Sequence, residues 1–371
     1  MSLPSYSELQ YQIALTMAPA IGPVNARKLI DKAGSASEVF RMTRASLEKI
    51  EGIGPFLSQS IRVPMLMSKA EKELKFIEKH KIKALFFKEA DYPARLNECE
   101  DAPILLYAKG SKGLNGERVL SVVGTRKASS YGRDLCRKIV LDLGSRISDL
   151  VIVSGLAYGI DVIAHRAALE GRIPTVAVLG HGLNTIYPKA HRETAIKICG
   201  QGALLSDFHS GMGPERNNFL RRNRIIAGMA DATLVVESAS RGGALITADM
   251  AFSYQRDVLA VPGRATDDRS LGCNRLIKLN MAAMVESADD VISHLRWNGE
   301  EAQEKKQVSI TIQERKLLEI MILHGGLGPG ELSGLSGIPI QEVLSMLTQM
   351  ELKGWIRMEP GNLFQNMMDL S

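Results

Sequence analysis

Residues 119–132 read VLSVVGTRKASSYG. An apolar run rich in β-branched residues gives way to Gly124-Thr125-Arg126-Lys127, and Ser129 then precedes a stretch of helical period. Apolar character on both faces is what a strand covered on both sides of a parallel sheet requires. Comparable runs recur at 151–153, 175–179, 203–205, 233–236, 258–261 and 282–285, separated by segments of helical period. Short strands alternating with helices predict an α/β fold, a doubly wound, Rossmann-like parallel sheet of some seven strands. With 371 residues the chain has room for further small domains.

Upstream, residues 12–29 and 47–61 each read as helix–turn–helix, turning at Ile21-Gly22-Pro23 and at Gly52-Ile53-Gly54-Pro55. Residues 1–80 are therefore expected to be a small all-α domain of SAM or helix-hairpin-helix type. The second turn suits close approach of a phosphate to backbone amides, whereas the first has Ala20 in place of the leading glycine. Packing alone is the competing reading of both hairpins. Residues 65–80 form an amphipathic charged pattern and 84–87 a short strand, so the sheet domain is taken as 81–298. GEEAQEKKQVS at 299–309 is polar and aperiodic, a linker. Beyond it, helical segments at 313–323, 329–335 and 339–353 and a hairpin about 360–362 give the winged-helix order over 310–371.

The composition narrows the function classes. Hydrophobic residues make up 45% of the chain and charged residues 23%, enough apolar material for a sizeable core. The first residues lack a basic stretch followed by an apolar one, and no run approaches the length of a membrane span, so a cytoplasmic protein is expected. Cys99, Cys136, Cys199 and Cys273 are widely spaced, which fits neither a disulfide framework nor a zinc site. From Gly299 onward ten acidic residues face six Lys and Arg, so the tail is −4 and the preceding part +9. A polyanionic partner would thus meet the first four-fifths of the chain.

In a parallel sheet the loops after the strands converge on one edge, where ligands of open α/β sheets bind. Here these loops carry Gly124-Thr125-Arg126 with Ser129, Ser154-Gly155, Gly180-His181-Gly182, Ser206-Asp207, Glu237 to Gly242-Gly243, and Pro262-Gly263-Arg264. Glycine, hydroxyl and arginine suit anions. A basic cluster, Arg216 with Arg221-Arg222-Asn223-Arg224, reads as the opening of a further helix. The helix dipole disfavours cations there, so a nearby polyanion explains them better than a solvated helix start. Neither G-x-G-x-x-G at the first turn nor a Walker motif is present, which speaks against dinucleotide binding and nucleoside triphosphate hydrolysis. Asp161 and His165, four apart on one helix face, lack a third ligand at a fitting spacing and read as a structural pair.

These motifs together resemble the bacterial DNA-processing protein A (DprA/Smf) family. The resemblance is carried by Asp91-Tyr92-Pro93 with Leu96, VVGTRKASSYG at 122–132, VSGLAYGIDVIAH at 153–165 and VAVLGHGLNTIYP at 176–188. RNRIIAG at 222–228, TLVVESASRGGALITA at 233–248 and VLAVPG at 258–263 complete it. It implies a non-enzymatic protein, without cofactor or metal, that binds single-stranded DNA and dimerises through its Rossmann-like domain. It also implies that the protein loads the RecA recombinase onto DNA in the presence of single-strand-binding protein, in support of natural transformation. Phosphate contacts are implied for Gly124, Arg126 and Ser129, for Lys189, and for a turn at Arg222-Asn223-Arg224, with Gly242-Gly243 closing the groove. Two positions depart from the pattern: Leu220 where a proline is common and His191 where an asparagine is common. The competing reading is a nucleotide N-glycosidase, since the 240–247 run SRGGALIT is similar to a loop of nucleotide-hydrolysing Rossmann proteins, with Asp249 near its glutamate. The winged-helix tail has Glu342 and Glu351 on its recognition-helix segment against Lys353 alone, which predicts a protein-contact or regulatory role rather than groove reading.

Overall fold

The computed structural model describes residues 6–297, 311–352, 355–359 and 363–366. The chain divides into two compact units, Met1–Trp297 and Asn298–Ser371. The expected linker at 299–309 lies outside the described residues.

The first unit is built on a nine-stranded sheet, which holds the seven strands expected from the apolar runs, the short strand expected near 84–87, and one more. In chain order the strands are β1 (Lys83–Phe86), β2 (Leu105–Gly110), β3 (Arg118–Val123), β4 (Leu150–Ser154), β5 (Thr175–Val178), β6 (Ala203–Ser206), β7 (Ala232–Val235), β8 (Asp257–Ala260) and β9 (Ala283–Met284). Their spatial order is β1-β2-β6-β5-β4-β3-β7-β8-β9. The strands from β3 onward are parallel, as expected, while β2 runs antiparallel to β6 and β1 antiparallel to β2. Only β2 runs against the others, since β1 reverses again beside it, so the sheet is mixed.

Alternate residues of each central strand enter different cores, as the two-residue strand period demands. Val119 and Val123 pack on one side with Val151, Val153 and Val235, and Leu120 and Val122 on the other with Ile152 and Leu234. That second side is covered by α8 (Ser130–Arg146), α9 (Ile160–Glu170) and α14 (Ala288–Leu295), with α10 (Arg192–Gln201) over β5 and β6. The first side is covered by α11 (Arg216–Gly228), α12 (Gly243–Ser253) and α13 (Leu271–Lys278).

Six helices precede the sheet: α1 (Glu8–Thr16), α2 (Pro23–Ala33), α3 (Ala36–Arg41), α4 (Arg44–Glu48), α5 (Pro55–Ser60) and α6 (Met65–Lys79). A short α7 (Ala94–Asn97) lies between β1 and β2. The helix pairs α1–α2 and α4–α5 fall at the two predicted hairpins. Their apolar faces, including Ile13, Leu29 and Ile77, share a continuous core with Leu85, Leu106 and Val178, so packing does not break at residue 80. Buried Glu73 on α6 fastens the helices to the sheet domain, accepting from the Ser210 amide at 2.9 Å and its hydroxyl at 2.5 Å.

The second unit has α15 (Ile312–His324), α16 (Pro329–Ser336) and α17 (Ile340–Leu352), then an antiparallel hairpin of β10 (Ile356–Glu359) and β11 (Leu363–Asn366). Leu317, Leu332, Val343, Leu347 and Phe364 form its own core. This is the winged-helix order expected from the sequence. The exposed residues of α17 include Ile340, Glu342, Leu344 and Glu351, and no Lys or Arg occurs within the helix.

Candidate functional site

Because β3 lies between β4 and β7, the chain leaves β3 toward one edge and returns on its other side at β7. The loops after β3 and β7 therefore diverge, and a crevice opens at this switch point. A groove of about 980 Å³ lies there, lined by Gly124, Thr125 and Arg126 after β3 and by Ser238 to Ile246 after β7. Its remaining walls come from Asp161, Tyr187, from Arg216, Phe219, Leu220, Arg222 and Asn223 of α11, and from Arg275 of α13.

The groove is electropositive. Five arginines line it (Arg126, Arg216, Arg222, Arg241 and Arg275) against two carboxylates, Asp161 and Asp249. The N-terminus of α12 opens into the same space. Its N-cap is Gly242, with no side chain capping the first amides, and a side chain at Gly243 would meet no atom within 4 Å. Uncapped amides at the positive end of a helix dipole suit an anion.

Arg126 and Arg222 both approach Phe219, each guanidinium 5.9 Å from the ring centroid. Arg126 is exposed. Arg222 is only 3% exposed, donates from Nη1 to the Val178 carbonyl at 2.8 Å, and leaves its Nε without a partner. Burial brings the Arg222 pKa down to about 10, partly offset by the charge of Asp161. Burial also pushes the Asp161 carboxyl up, while Arg222, Arg126 and nearby backbone amides favour its ionised form. The two opposite charges favour each other's ionised forms, and the Val178 carbonyl is what fixes the Arg222 guanidinium.

Several predicted contacts are placed differently. Ser129 caps α8 by accepting from the Gly132 amide at 3.0 Å, but its own amide and hydroxyl both donate to Glu237, at 2.9 and 2.5 Å. A carboxylate of the protein thus occupies the site where a phosphate was expected. Arg221-Arg222-Asn223-Arg224 neither opens a helix nor forms a turn, since α11 begins at Arg216 and carries them in its middle. Only Arg216 stands at the helix start. Arg224 is buried and paired with Asp207 at 2.5 Å, and it also bonds the Asp101 carbonyl, so it is a structural cation. Arg221 is exposed above the Phe208 ring, 5.2 Å from its centroid.

Gly155 is needed for packing, because a side chain there would lie 1.7 Å from Arg222 Nη1. Gly124 likewise leaves room for Ile160, whose side chain a Cβ would meet at 2.5 Å. Thr125 joins loops, its amide donating to the Glu237 carbonyl at 2.7 Å and its own carbonyl accepting from Ile160 at 3.2 Å. Lys189 is exposed on a short 3-10 turn, Lys189–His191, and does not line the groove. Asp161 and His165 do not pair with each other: Asp161 accepts from the Ala157 amide at 3.4 Å, and His165 Nδ1 meets the Thr175 hydroxyl at 2.7 Å. Among the described residues no group of three or more His, Cys, Asp or Glu is placed to hold a metal.

The sequence reading missed the aromatic wall. Phe219 and Tyr187, with ring centroids 5.7 Å apart, both line the groove. An aromatic residue two positions before the arginine cluster, in NNFLRRNR, was the available signal. Arg275 carried no such mark, since it sits with Lys278 in an amphipathic helix whose approach to the groove is non-local.

The profile of the DNA recombination-mediator protein A family matches residues 83–296, and that of the DprA winged-helix domain matches residues 302–362. The chain is 41% identical over 206 residues to the DNA processing protein DprA of Streptococcus pneumoniae, covering 56% of this chain and 72% of the relative. It is 35% identical over 278 residues to protein Smf of Escherichia coli, covering 73% and 74% of the two chains. The X-ray structure of the S. pneumoniae protein superposes with a TM-score of 0.65 at 32% identity, over 76% of this chain and 97% of that one. A structure of DNA processing protein A from Helicobacter pylori, described as showing a single-stranded DNA binding mode, superposes with a TM-score of 0.53 at 26% identity, over 59% and 97%.

Proposed function

The chain belongs to the DNA recombination-mediator protein A (DprA/Smf) family, and from that premise we propose that its switch-point groove grips single-stranded DNA by the phosphate backbone. The observation that carries this reading is the set of five arginines converging with the uncapped N-terminus of α12 in one groove. Against these arginines the lining sets two carboxylates, Asp161 and Asp249. A guanidinium offers a planar fork to two phosphate oxygens, and free helix amides add dipoles that need no reorganisation. Arg126 is the principal exposed phosphate ligand, Arg216, Arg241 and Gly242-Gly243 continue the track, and Asn223 contributes a polar side chain. Lys189 catches a phosphate outside the groove. Phe219 and Tyr187 give the bases an apolar wall without reading their edges, so sequence preference is weak.

In this proposal the protein acts in the cytoplasm, protects incoming single strands and delivers them to a RecA-type recombinase alongside single-strand-binding protein. Among the described residues no helix is long and apolar enough to cross a membrane. Homodimerisation through the Rossmann-like domain is supported by the sheet's β9 edge, where Met284 is more than half exposed. Exposed apolar side chains beside an unpaired strand are a usual site of self-association.

A second reading rests on one observation, that Asp249 lines the same groove. A nucleotide N-glycosidase would use such a carboxylate at the glycosidic carbon. Oligo-dT binding measured across salt concentrations, for wild type and for Arg126→Ala and Lys189→Ala, tests the first reading. Release of free base from mononucleotides tests the second.

A further inference from the structure

Tyr158 stands on a loop that meets both the Arg126 loop and the turn of Lys189, the two cations assigned to phosphate contact. Its loop is pressed against the Arg126 loop on one side: a side chain at Gly159 would come within 2.0 Å of the Thr125 carbonyl oxygen and 2.8 Å of Arg126 Cα. On the other side the Tyr158 ring meets the His191 ring edge-on, centroids 4.9 Å apart and planes at 68°. His191 closes the same 3-10 turn that Lys189 opens, and it is buried with Nδ1 2.7 Å from the Leu156 carbonyl oxygen.

Tyr158 itself is 50% exposed, although its anchor His191 is only 3% exposed. The half-exposed ring thus has one side fixed on His191 and the rest open to a ligand. An exposed aromatic ring held by a buried partner, on a loop flanked by the loops of two cations, suits the alternation of base and phosphate along a single strand. We propose that Tyr158 is a base-stacking platform that carries the single-strand track out of the groove, past Arg126, toward Lys189. This rests on the reading of the groove as a phosphate-binding track. The ligand is one unpaired nucleobase of any identity, since every base has a π-face to offer.

The test compares full-length wild type with Tyr158→Ala and Tyr158→Phe on oligo-dT and on an abasic deoxyribose-phosphate strand of the same length. Tyr158→Ala should weaken oligo-dT binding about tenfold, the loss typical of one stacked base. It should leave abasic binding and the salt slope unchanged, and Tyr158→Phe should retain the wild-type affinity. Unchanged oligo-dT affinity of Tyr158→Ala, or an equal loss on both strands, overturns the platform. Arg126→Ala, run in parallel, separates the two claims: if it binds both strands as wild type does, the groove reading itself fails, whatever Tyr158 does.

Discussion

The Glu237 carboxylate takes both hydrogens that Ser129 presents at the head of α8, the amide at 2.9 Å and the hydroxyl at 2.5 Å. A doubly wound fold ordinarily offers that helix start to a phosphate of its ligand. Here the position is filled from within, and the loop after β3 is tied to the loop after β7, which supplies Glu237. The exposed Arg126 and the uncapped α12 are left to face an external anion.

Ser129→Ala should therefore act on stability. It removes both the α8 cap and a charge-assisted hydrogen bond from buried Glu237, and the expected loss is about 2 kcal/mol. Urea denaturation measures this, and oligo-dT affinity of the folded variant should match wild type. Weaker DNA binding at undiminished stability would return Ser129 to the phosphate ligands.

Arg224 and Asp207 should behave as one structural unit. Both are buried, so Arg224→Ala strands an unpaired carboxylate and should cost about 3–5 kcal/mol. Removing both charges, in Arg224→Met with Asp207→Leu, should recover much of that loss. A double-mutant cycle on thermal or urea unfolding reads the coupling, and additive losses would mean that the pair does not interact.

Acid sensitivity should trace to His165. Burial, reinforced by the charge of Arg222, depresses its pKa to about 3 in the folded chain, from an ordinary value near 6.5. Between those values the unfolded chain binds the extra proton, so stability is full above the upper one and falls as the pH drops toward the lower. His165→Asn should flatten the melting-temperature profile between pH 6.5 and pH 4, taken as about the span of that titration. An unaltered slope would place the titration elsewhere.

The winged-helix unit should add nothing to the electrostatics of DNA capture. Its α17 offers Glu342 and Glu351 and, over residues 340–352, no cation. A chain ending after Trp297 should bind oligo-dT with the affinity and salt slope of the full protein. A clear drop in either would assign nucleic-acid contact to the second unit.

What the sequence made legible was local. The strands from β3 to β9 were visible because each is a short apolar run, and the winged helix because its helices and hairpin follow one another directly. β2 begins with an apolar run of the same kind, LLYA, which the reading passed over, and its antiparallel direction is set by pairing with β6 nearly a hundred residues on. The site followed the same division. Residue types at the strand ends pointed to an anion groove, and the groove is there, but periodicity could not say which cations were free. The two carboxylates in those same loops, Asp207 and Glu237, were visible in the sequence, and they are the groups that engage Arg224 and Ser129. Counting carboxylates against cations at the sheet edge would have anticipated that much. That Arg222 is buried and anchored on the Val178 carbonyl depends on a helix meeting a strand distant in sequence, which no short window shows.

The most direct measurement is the salt dependence of oligo-dT binding by wild type and Arg126→Ala at equal protein stability. If Arg126 neutralises one phosphate in the groove, the variant binds more weakly, and the slope of log affinity against log salt shrinks by about 0.7, the share of one contact on a single strand. Identical slopes and affinities would mean that the arginine-lined groove does not hold the DNA.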